Sequence, residues 1–242
     1  MKGVILAVGS EWRFLSLSKI TNRHLHPIGN GKYPMVFYPI AAMKQAGIQR
    51  IMLITDPFHI GDLIELLGSG AEWDLKFSYQ VQKKSGGPVA ALELAEEFAA
   101  GERLLVMEGD NLFEAELRSY LEGFRRQKSG MKLFLKEVDN PSGRPVARLR
   151  DEKVVALEEK TGKYRSNLCI TGIYCFDETV FEIIRRLRRI GRNEPELPDL
   201  IRTYIQRGDL SYELLDGWWM DTGAMKSLDL VDRLLKDLTL DL

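Results

Sequence analysis

The sequence is poor in the residues that build disulfide frameworks and metal clusters. Its 242 residues include two cysteines and three histidines. Cys169 and Cys175 fall on one apolar run, and the extended chain between them holds them roughly 20 Å apart, too far to bridge each other. They read as reduced core thiols, which points to a cytoplasmic protein. His24, His26 and His59 are too scattered to make a zinc ligand set. No apolar run is long enough to span a bilayer, and the run after Met1-Lys2-Gly3 is too short for a signal peptide. Charge of one sign is missing as well: 34 Lys and Arg against 35 Asp and Glu leave a formal net charge of -1. That argues against a protein built mainly to bind nucleic acid. The one basic run, Arg185-Arg186-Leu187-Arg188-Arg189, is interleaved with Val180, Phe181, Ile184, Leu187 and Ile190 at helical spacing, so its arginines read as the wet face of an amphipathic helix.

What remains is an ordinary globular composition, 45% hydrophobic and 29% charged, long enough for one large α/β domain. Val4 to Ala7 is a short apolar run without alternation, which suits a strand buried on both faces of a parallel sheet. Strands follow at Arg50 to Ile54, Lys76 to Val81, Leu104 to Met107 and Lys132 to Lys136. Between them, helical spacing covers Pro34 to Gln45, Pro88 to Ala99 and Glu114 to Gln127. A further helix starts at Asp56-Pro57, with Asp56 as cap. The second half changes character. Val146 to Leu149, Val154 to Leu157 and Asn167 to Phe176 are strands with short connections. Helices then cover Asp177 to Arg189, a segment from Pro198 to before Gly208, and Ala224 to Leu238, with a strand at Leu210 to Leu215. This pattern predicts an α/β fold, a Rossmann-like, mostly parallel sheet with helices on both faces and a mixed or antiparallel extension in the second half.

In open parallel sheets, ligands bind beyond the carboxyl ends of the strands. Three segments follow such strands: the turn at Gly9-Ser10, the stretch Gln82 to Gly87, and Gly109-Asp110-Asn111. The first can hold an anion on its backbone N–H groups, with Arg13 adding a positive charge, although Gly-Ser after a strand is also an ordinary connection. Asp110 is either a turn aspartate or a Mg²⁺ ligand, because magnesium shares one or two carboxylates with substrate phosphates.

Taken together, these motifs resemble the sugar-1-phosphate nucleotidyltransferases, most closely the short glucose-1-phosphate thymidylyltransferases, over nearly the whole chain. Leu6, Ala7, Gly9, Ser10 and Arg13 match the family's nucleotide loop, and Arg23 sits where the family usually has a phosphate-contacting lysine. Gln82 and Gly87 match the residues that recognise a pyrimidine edge. Asp110, and Asp221 in Trp218-Trp219-Met220-Asp221-Thr222-Gly223, match the two metal aspartates. Glu159 and Lys160 match a sugar and sugar-phosphate segment, Thr171-Gly172 a further sugar-site pair, and Arg144-Pro145 replaces a sugar-contacting Tyr-Gly. The resemblance implies one domain over 1–242, with a nucleotide-binding half at 1–130 and a sugar-binding half at 131–242. It also implies a Mg²⁺-dependent reaction of dTTP or UTP with a sugar 1-phosphate, and assembly into a homo-oligomer.

Several residues depart from the family pattern. Val8, Glu11 and Trp12 replace two glycines and a threonine of the loop, and Ala90 replaces a glutamine. A carboxylate at Glu11 about 4 Å from a phosphate would cost roughly 1 to 4 kcal/mol. Valine at position 8 would cost roughly 1–2 kcal/mol if that position needs a positive φ. Two functions therefore fit the sequence. One is an active nucleotidyltransferase with a changed loop, which the retained residues favour. The other is a catalytically impaired relative that binds a sugar phosphate or nucleotide, or serves an active paralogue as a structural or regulatory partner.

Overall fold

A computed structural model describes residues 1–8, 22–83, 86–141, 143–158, 165–191, 194–224, 229–236 and 238–240. Strand β1 (Lys2–Ala7) is buried along its whole length. A small ribbon, β2 (Pro27–Ile28) with β3 (Tyr33–Pro34), leads into α1 (Phe37–Gln45). Then come β4 (Arg50–Thr55), α2 (Ile60–Leu67), β5 (Lys76–Val81), α3 (Gly87–Glu93), α4 (Glu96–Ala99) and β6 (Leu104–Glu108). A short β7 (Asn111–Phe113) precedes α5 (Leu117–Arg126) and β8 (Met131–Glu137). The hairpin β9 (Val146–Arg150) and β10 (Lys153–Glu158) is followed by β11 (Leu168–Phe176), α6 (Val180–Arg189) and α7 (Leu197–Arg207). The described chain closes with β12 (Leu210–Leu214), β13 (Trp219–Asp221) and α8 (Asp229–Leu235).

β1 lies between β4 and β6, parallel to both, and β5 adds a further parallel strand beyond β4. β11 closes the other side antiparallel to β6 and carries β8 and β9, with β10 beyond β9 and β12 parallel to β8. The parallel first half and antiparallel extension agree with the pattern of the sequence. Successive β1 residues feed opposite layers, as strand geometry requires. Val4 and Leu6 pack with residues of α3, α6 and α7. Ile5 and Ala7 pack with residues of α1, α2 and α5. Helices thus cover both faces, and the four arginines of α6 lie on its exposed side, where Arg185 and Arg188 pair with Glu96 and Glu93.

Several boundaries differ from the sequence-based expectation. Asp56 does not cap a helix; its Oδ1 accepts from the Phe58 N–H at 2.9 Å and faces His59 Nδ1 at 2.9 Å, so a turn intervenes and α2 starts at Ile60. Glu114 is not helical, because its N–H and carboxylate are bonded to Trp218 at the end of the β7–β13 pair. The helix expected from Pro88 to Ala99 divides into α3 and α4. α8 covers only Asp229–Leu235 of the expected closing helix, with a 3-10 turn at Thr222–Ala224. Ile190, expected on the apolar face of α6, lies beyond its end and is exposed.

The edge of the sheet that carries the start of β1 is tied by one buried carboxylate. Asp177 is 1% exposed. It accepts from the Gly130 N–H (2.6 Å), the Thr179 N–H (3.1 Å) and hydroxyl (2.8 Å), and the Tyr204 hydroxyl (3.0 Å). Removing it strands several buried donors, each worth roughly 1–3 kcal/mol. Asp177→Ala should lower the unfolding free energy by about 3 kcal/mol or more, read from the urea midpoint at unchanged slope.

Candidate active site

The carboxyl ends of β1, β5 and β6 open on one crevice of about 270 Å³. Leu6 and Val8 line it from β1, Gln82, Gly86 and Gly87 from the connection after β5, and Glu108 and Asp110 from the end of β6. Arg23 reaches in from the segment before β2. Of the three segments expected to share a crevice, Gln82 to Gly87 and Gly109-Asp110-Asn111 do so in their described parts, and the Gly9-Ser10 turn, which follows Val8, lies outside the described residues.

Asp110 and Asp221 are far apart in sequence, and the antiparallel pairing of β7 with β13 brings them together, with Asn111 opposite Asp221. The Thr222 N–H and hydroxyl both donate to the Asp110 carbonyl at 3.0 Å. Gly223 fits because it has no side chain: a Cβ there would lie 2.7 Å from Asp110 Oδ2 and 3.2 Å from Asp221 Oδ1. The two carboxylates thus flank one point. Asn111 fixes the surroundings. Its Oδ1 accepts from the Gly172 N–H (2.9 Å) and the Trp219 indole N–H (2.8 Å), while its amide donates to Asp110 Oδ1 (3.3 Å).

The charge at this point is unbalanced. Arg23 pairs with Asp110 at 2.8 Å, and its Nε is buried without a hydrogen-bond partner. Burial and the Asp110 charge push the Asp221 carboxyl above the ordinary range, against the pull of Arg144. Burial, then the charge of Asp110, pushes Glu108 up to about 7, against the pull of a hydrogen bond from the Tyr174 hydroxyl. Among the described residues no three His, Cys, Asp or Glu side chains form a metal-binding group. Oxygen-only donors, two per site with the rest from phosphate, are nonetheless what magnesium accepts.

The remaining expected residues fall as follows. Ala7 does not line the crevice; its carbonyl accepts from Asn22 and Thr55, and its side chain is in the core. Val8 has no positive φ, so the backbone strain attached to that condition does not arise. Gln82 is 9% exposed and its amide reaches the Gly87 carbonyl at 3.4 Å. Ala90 packs beneath, 2.7 Å from where a Gly86 Cβ would be. Thr171 is buried and its hydroxyl donates to the Phe134 carbonyl at 2.8 Å. Arg144 lies over the Trp219 ring at 5.5 Å. Gly9, Ser10, Glu11, Trp12, Arg13, Glu159 and Lys160 lie outside the described residues.

Residues 2–237 match the nucleotidyl transferase family model. The chain belongs to the nucleotidyl transferase family. It is 33% identical over 232 residues to the glucose-1-phosphate thymidylyltransferase of Neisseria meningitidis serogroup A, covering 94% of this chain and 80% of that one. It is 34% identical to the Xanthomonas campestris pv. campestris enzyme of the same name, covering 94% and 78%. A Bacillus anthracis structure assigned as a glucose-1-phosphate thymidylyltransferase, in complex with sucrose, superimposes with a TM-score of 0.93 at 40% identity. That match covers 98% of this chain and 96% of the other. A UDP-glucose pyrophosphorylase complexed with UDP-glucose shares the fold at a TM-score of 0.80 and 20% identity, covering 96% and 97%.

Sequence reasoning missed four residues of this transferase. Glu108 reads as the last residue of a strand, and Asn111 and Trp219 read as neighbours of the aspartates. His24 is fully buried, bonded through Nδ1 to Asn22 Oδ1 at 2.6 Å, with Nε2 unpartnered beside Gly109. Burial, then Arg23, holds its pKa well below the ordinary value, so the ring is neutral. Of these, Asn111 and Trp219 carried a signal, their places in Gly109-Asp110-Asn111 and in Trp219-Met220-Asp221-Thr222-Gly223.

Glu108 also makes a pH prediction. Its folded pKa of about 7 lies above the ordinary 4.5, so the folded chain binds the proton more tightly than the unfolded chain. The stability this contributes is complete below the unfolded value and is lost as pH rises to the folded value. In EDTA, Glu108→Gln should gain stability relative to the native chain as pH rises through that window and level off above it. Urea unfolding at about pH 5 and about pH 8 reads the difference; a pH-independent gap would remove the assignment.

Proposed function

We propose that this chain joins a sugar 1-phosphate, glucose 1-phosphate in the first instance, to a pyrimidine nucleoside triphosphate, dTTP or UTP. A sugar-phosphate oxygen forms a new bond to the α-phosphorus, the bond from that phosphorus to the β-phosphate's bridging oxygen breaks, and pyrophosphate leaves. The observation that carries the reading is the convergence of Asp110 and Asp221 beside Arg23 in a crevice also lined by Gln82. The thymidylyltransferase names of the relatives support the choice of substrates.

Asp110 and Asp221 would hold Mg²⁺, which fits a hard, oxygen-only, negatively unbalanced point. When bound, it supplies neutralisation of phosphate charge. Arg23, with an unused Nε, supplies a fixed positive charge for phosphate oxygens, and Arg13 would add a second. Leu6, Ala7, Gly9 and Ser10 would shape the nucleotide loop. Gln82 offers donor and acceptor to a uracil or thymine edge, with Gly87 holding its amide in place. Glu159, Lys160, Thr171 and Arg144 would receive the sugar phosphate, Thr171 through its backbone because its hydroxyl is committed. In this reading 1–130 is the nucleotide half and 131–242 the sugar half. A cytoplasmic location completes it, supported by the free buried cysteines, and assembly into a homo-oligomer is carried over from the family resemblance alone.

The test is pyrophosphate release from dTTP and UTP with glucose 1-phosphate. Mg²⁺-dependent release should be abolished by EDTA. Asp110→Asn and Asp221→Asn should each lower kcat by about 100-fold or more while the fold is kept. A native chain that releases none with any pyrimidine triphosphate and sugar 1-phosphate would leave the binding or regulatory relative as the reading.

A further inference from the structure

Glu108 is an expensive residue at its position. It ends β6 next to Leu6 of β1, lines the crevice, and is close enough to Asp110 and Asp221 to be repelled by both. A leucine would fill the same wall without that cost. One structural contact is evident: the Tyr174 hydroxyl donates to Oε1 at 3.0 Å. A neutral glutamine would accept that bond equally well. The second oxygen, Oε2, makes no hydrogen bond among the described residues and is not enclosed, so it opens on the crevice. A carboxyl has acceptor capacity for several donors, and here most of it is unused.

The neighbours say which ligand group comes to it. Gln82 and Gly87, the base-reading candidates, approach the crevice from the β5 side. Phosphate oxygens are acceptors and are repelled by a carboxylate. On its other side Glu108 abuts Gly172 of β11, where a Cβ would lie 2.9 Å from the Glu108 Cβ. The β8–β11 register shifts between Ile170 and Tyr174, so the strand is irregular at Thr171 and Gly172, where the Gly172 N–H bonds to Asn111 of the site. The wall between Asp110 and Gly172 is left for a group rich in hydrogen-bond donors, and of the proposed substrates that is the sugar ring.

We propose that Glu108 determines sugar specificity: its free carboxyl oxygen accepts a hydrogen bond from one ring hydroxyl of the sugar 1-phosphate, and the site selects sugars that carry a donor there. The proposal rests on the transferase reading above. A hydrogen bond to a charged group sets the expected size, a preference of about 10- to 100-fold.

The experiment measures kcat/KM for pyrophosphate release by the full chain with glucose 1-phosphate and with each singly deoxygenated analogue. It is repeated for Glu108→Gln, Glu108→Leu and Tyr174→Phe. The native chain should discriminate against one analogue by that factor. Glu108→Leu should lose the discrimination at that position and keep it elsewhere, and Glu108→Gln should lie between. Tyr174→Phe removes the structural hydrogen bond and leaves the carboxyl, so it should retain the preference. Equal discrimination in the native chain and Glu108→Leu at every ring position overturns the proposal. So does a preference that moves only when 3′-deoxy dTTP replaces dTTP, which would place the carboxyl on the ribose. Absence of turnover in the native chain with any sugar 1-phosphate is a different failure, seen before any variant is compared, and overturns the parent reading as well.

Discussion

One primary amide joins the parts of this site. Asn111 accepts from the Gly172 N–H and the Trp219 indole with a single oxygen and donates to Asp110 with its nitrogen. Those partners come from β11, from β13 and from the turn after β6. An aspartate at this position would keep the two accepted bonds but add another charge beside Asp110 and lose the donor. A leucine would leave a backbone N–H and an indole N–H unpaired in the interior. The amide's mixed donor and acceptor character is what lets three chain segments meet at an acidic point. The geometry of Asp110 and Asp221 then follows from the short β7–β13 ladder that Asn111 begins.

The electrostatics follow from that convergence. Carboxylates at Glu108, Asp110 and Asp221 repel one another, and burial removes the water that would screen them. Arg23 answers Asp110 directly and Arg144 offsets Asp221 from above Trp219. Together they do not bring Asp221 or Glu108 back to ordinary acidity. A site left in this condition favours a ligand that adds positive charge or donors at the point between the acids, and it is costly when empty. Such sites are found where function requires them rather than where stability does.

How much of this the sequence discloses depends on the length and chemistry of each signal. The parallel strands are legible because both faces are buried, so Val4 to Ala7 and Leu104 to Met107 are unbroken apolar runs. Asp110 and Asp221 are legible because Gly-Asp-Asn and Trp-Met-Asp-Thr-Gly carry family motifs. β7 and β13 are not, because three residues show no period, and Glu114 consequently reads as a helix start. Glu108 is hidden for a different reason. An acid at a strand end usually meets bulk solvent, and only the pairing of β6 with β1 and β11 reveals that this one stands between two strands at the wall of a crevice. His24 is hidden in the same way, since a lone histidine in Arg23-His24-Leu25-His26 carries no periodic signal.

Polar satisfaction divides the molecule along the strands. At the edge where β1 begins, the Lys2 ammonium reaches the carbonyls of Phe98 and Ala99 and pairs with Glu102. Arg103 spans the last carbonyls of α5, and Asp177 gathers four donors. These contacts use buried charge to close helix ends and turns, which is stabilising when every group is paired. At the opposite edge the accounts are left open. Among the described residues, four buried side-chain polar atoms lack a hydrogen-bond partner, and three of them belong to Arg23, His24 and Arg144. The fourth, the Tyr38 hydroxyl, lies apart, beside Gly29 and Leu235. Packing defects would scatter over both edges. Their concentration around the converging carboxylates means that donors and acceptors there are held ready by the rest of the fold, and the saturated edge supplies the stability that makes an unsatisfied one tolerable.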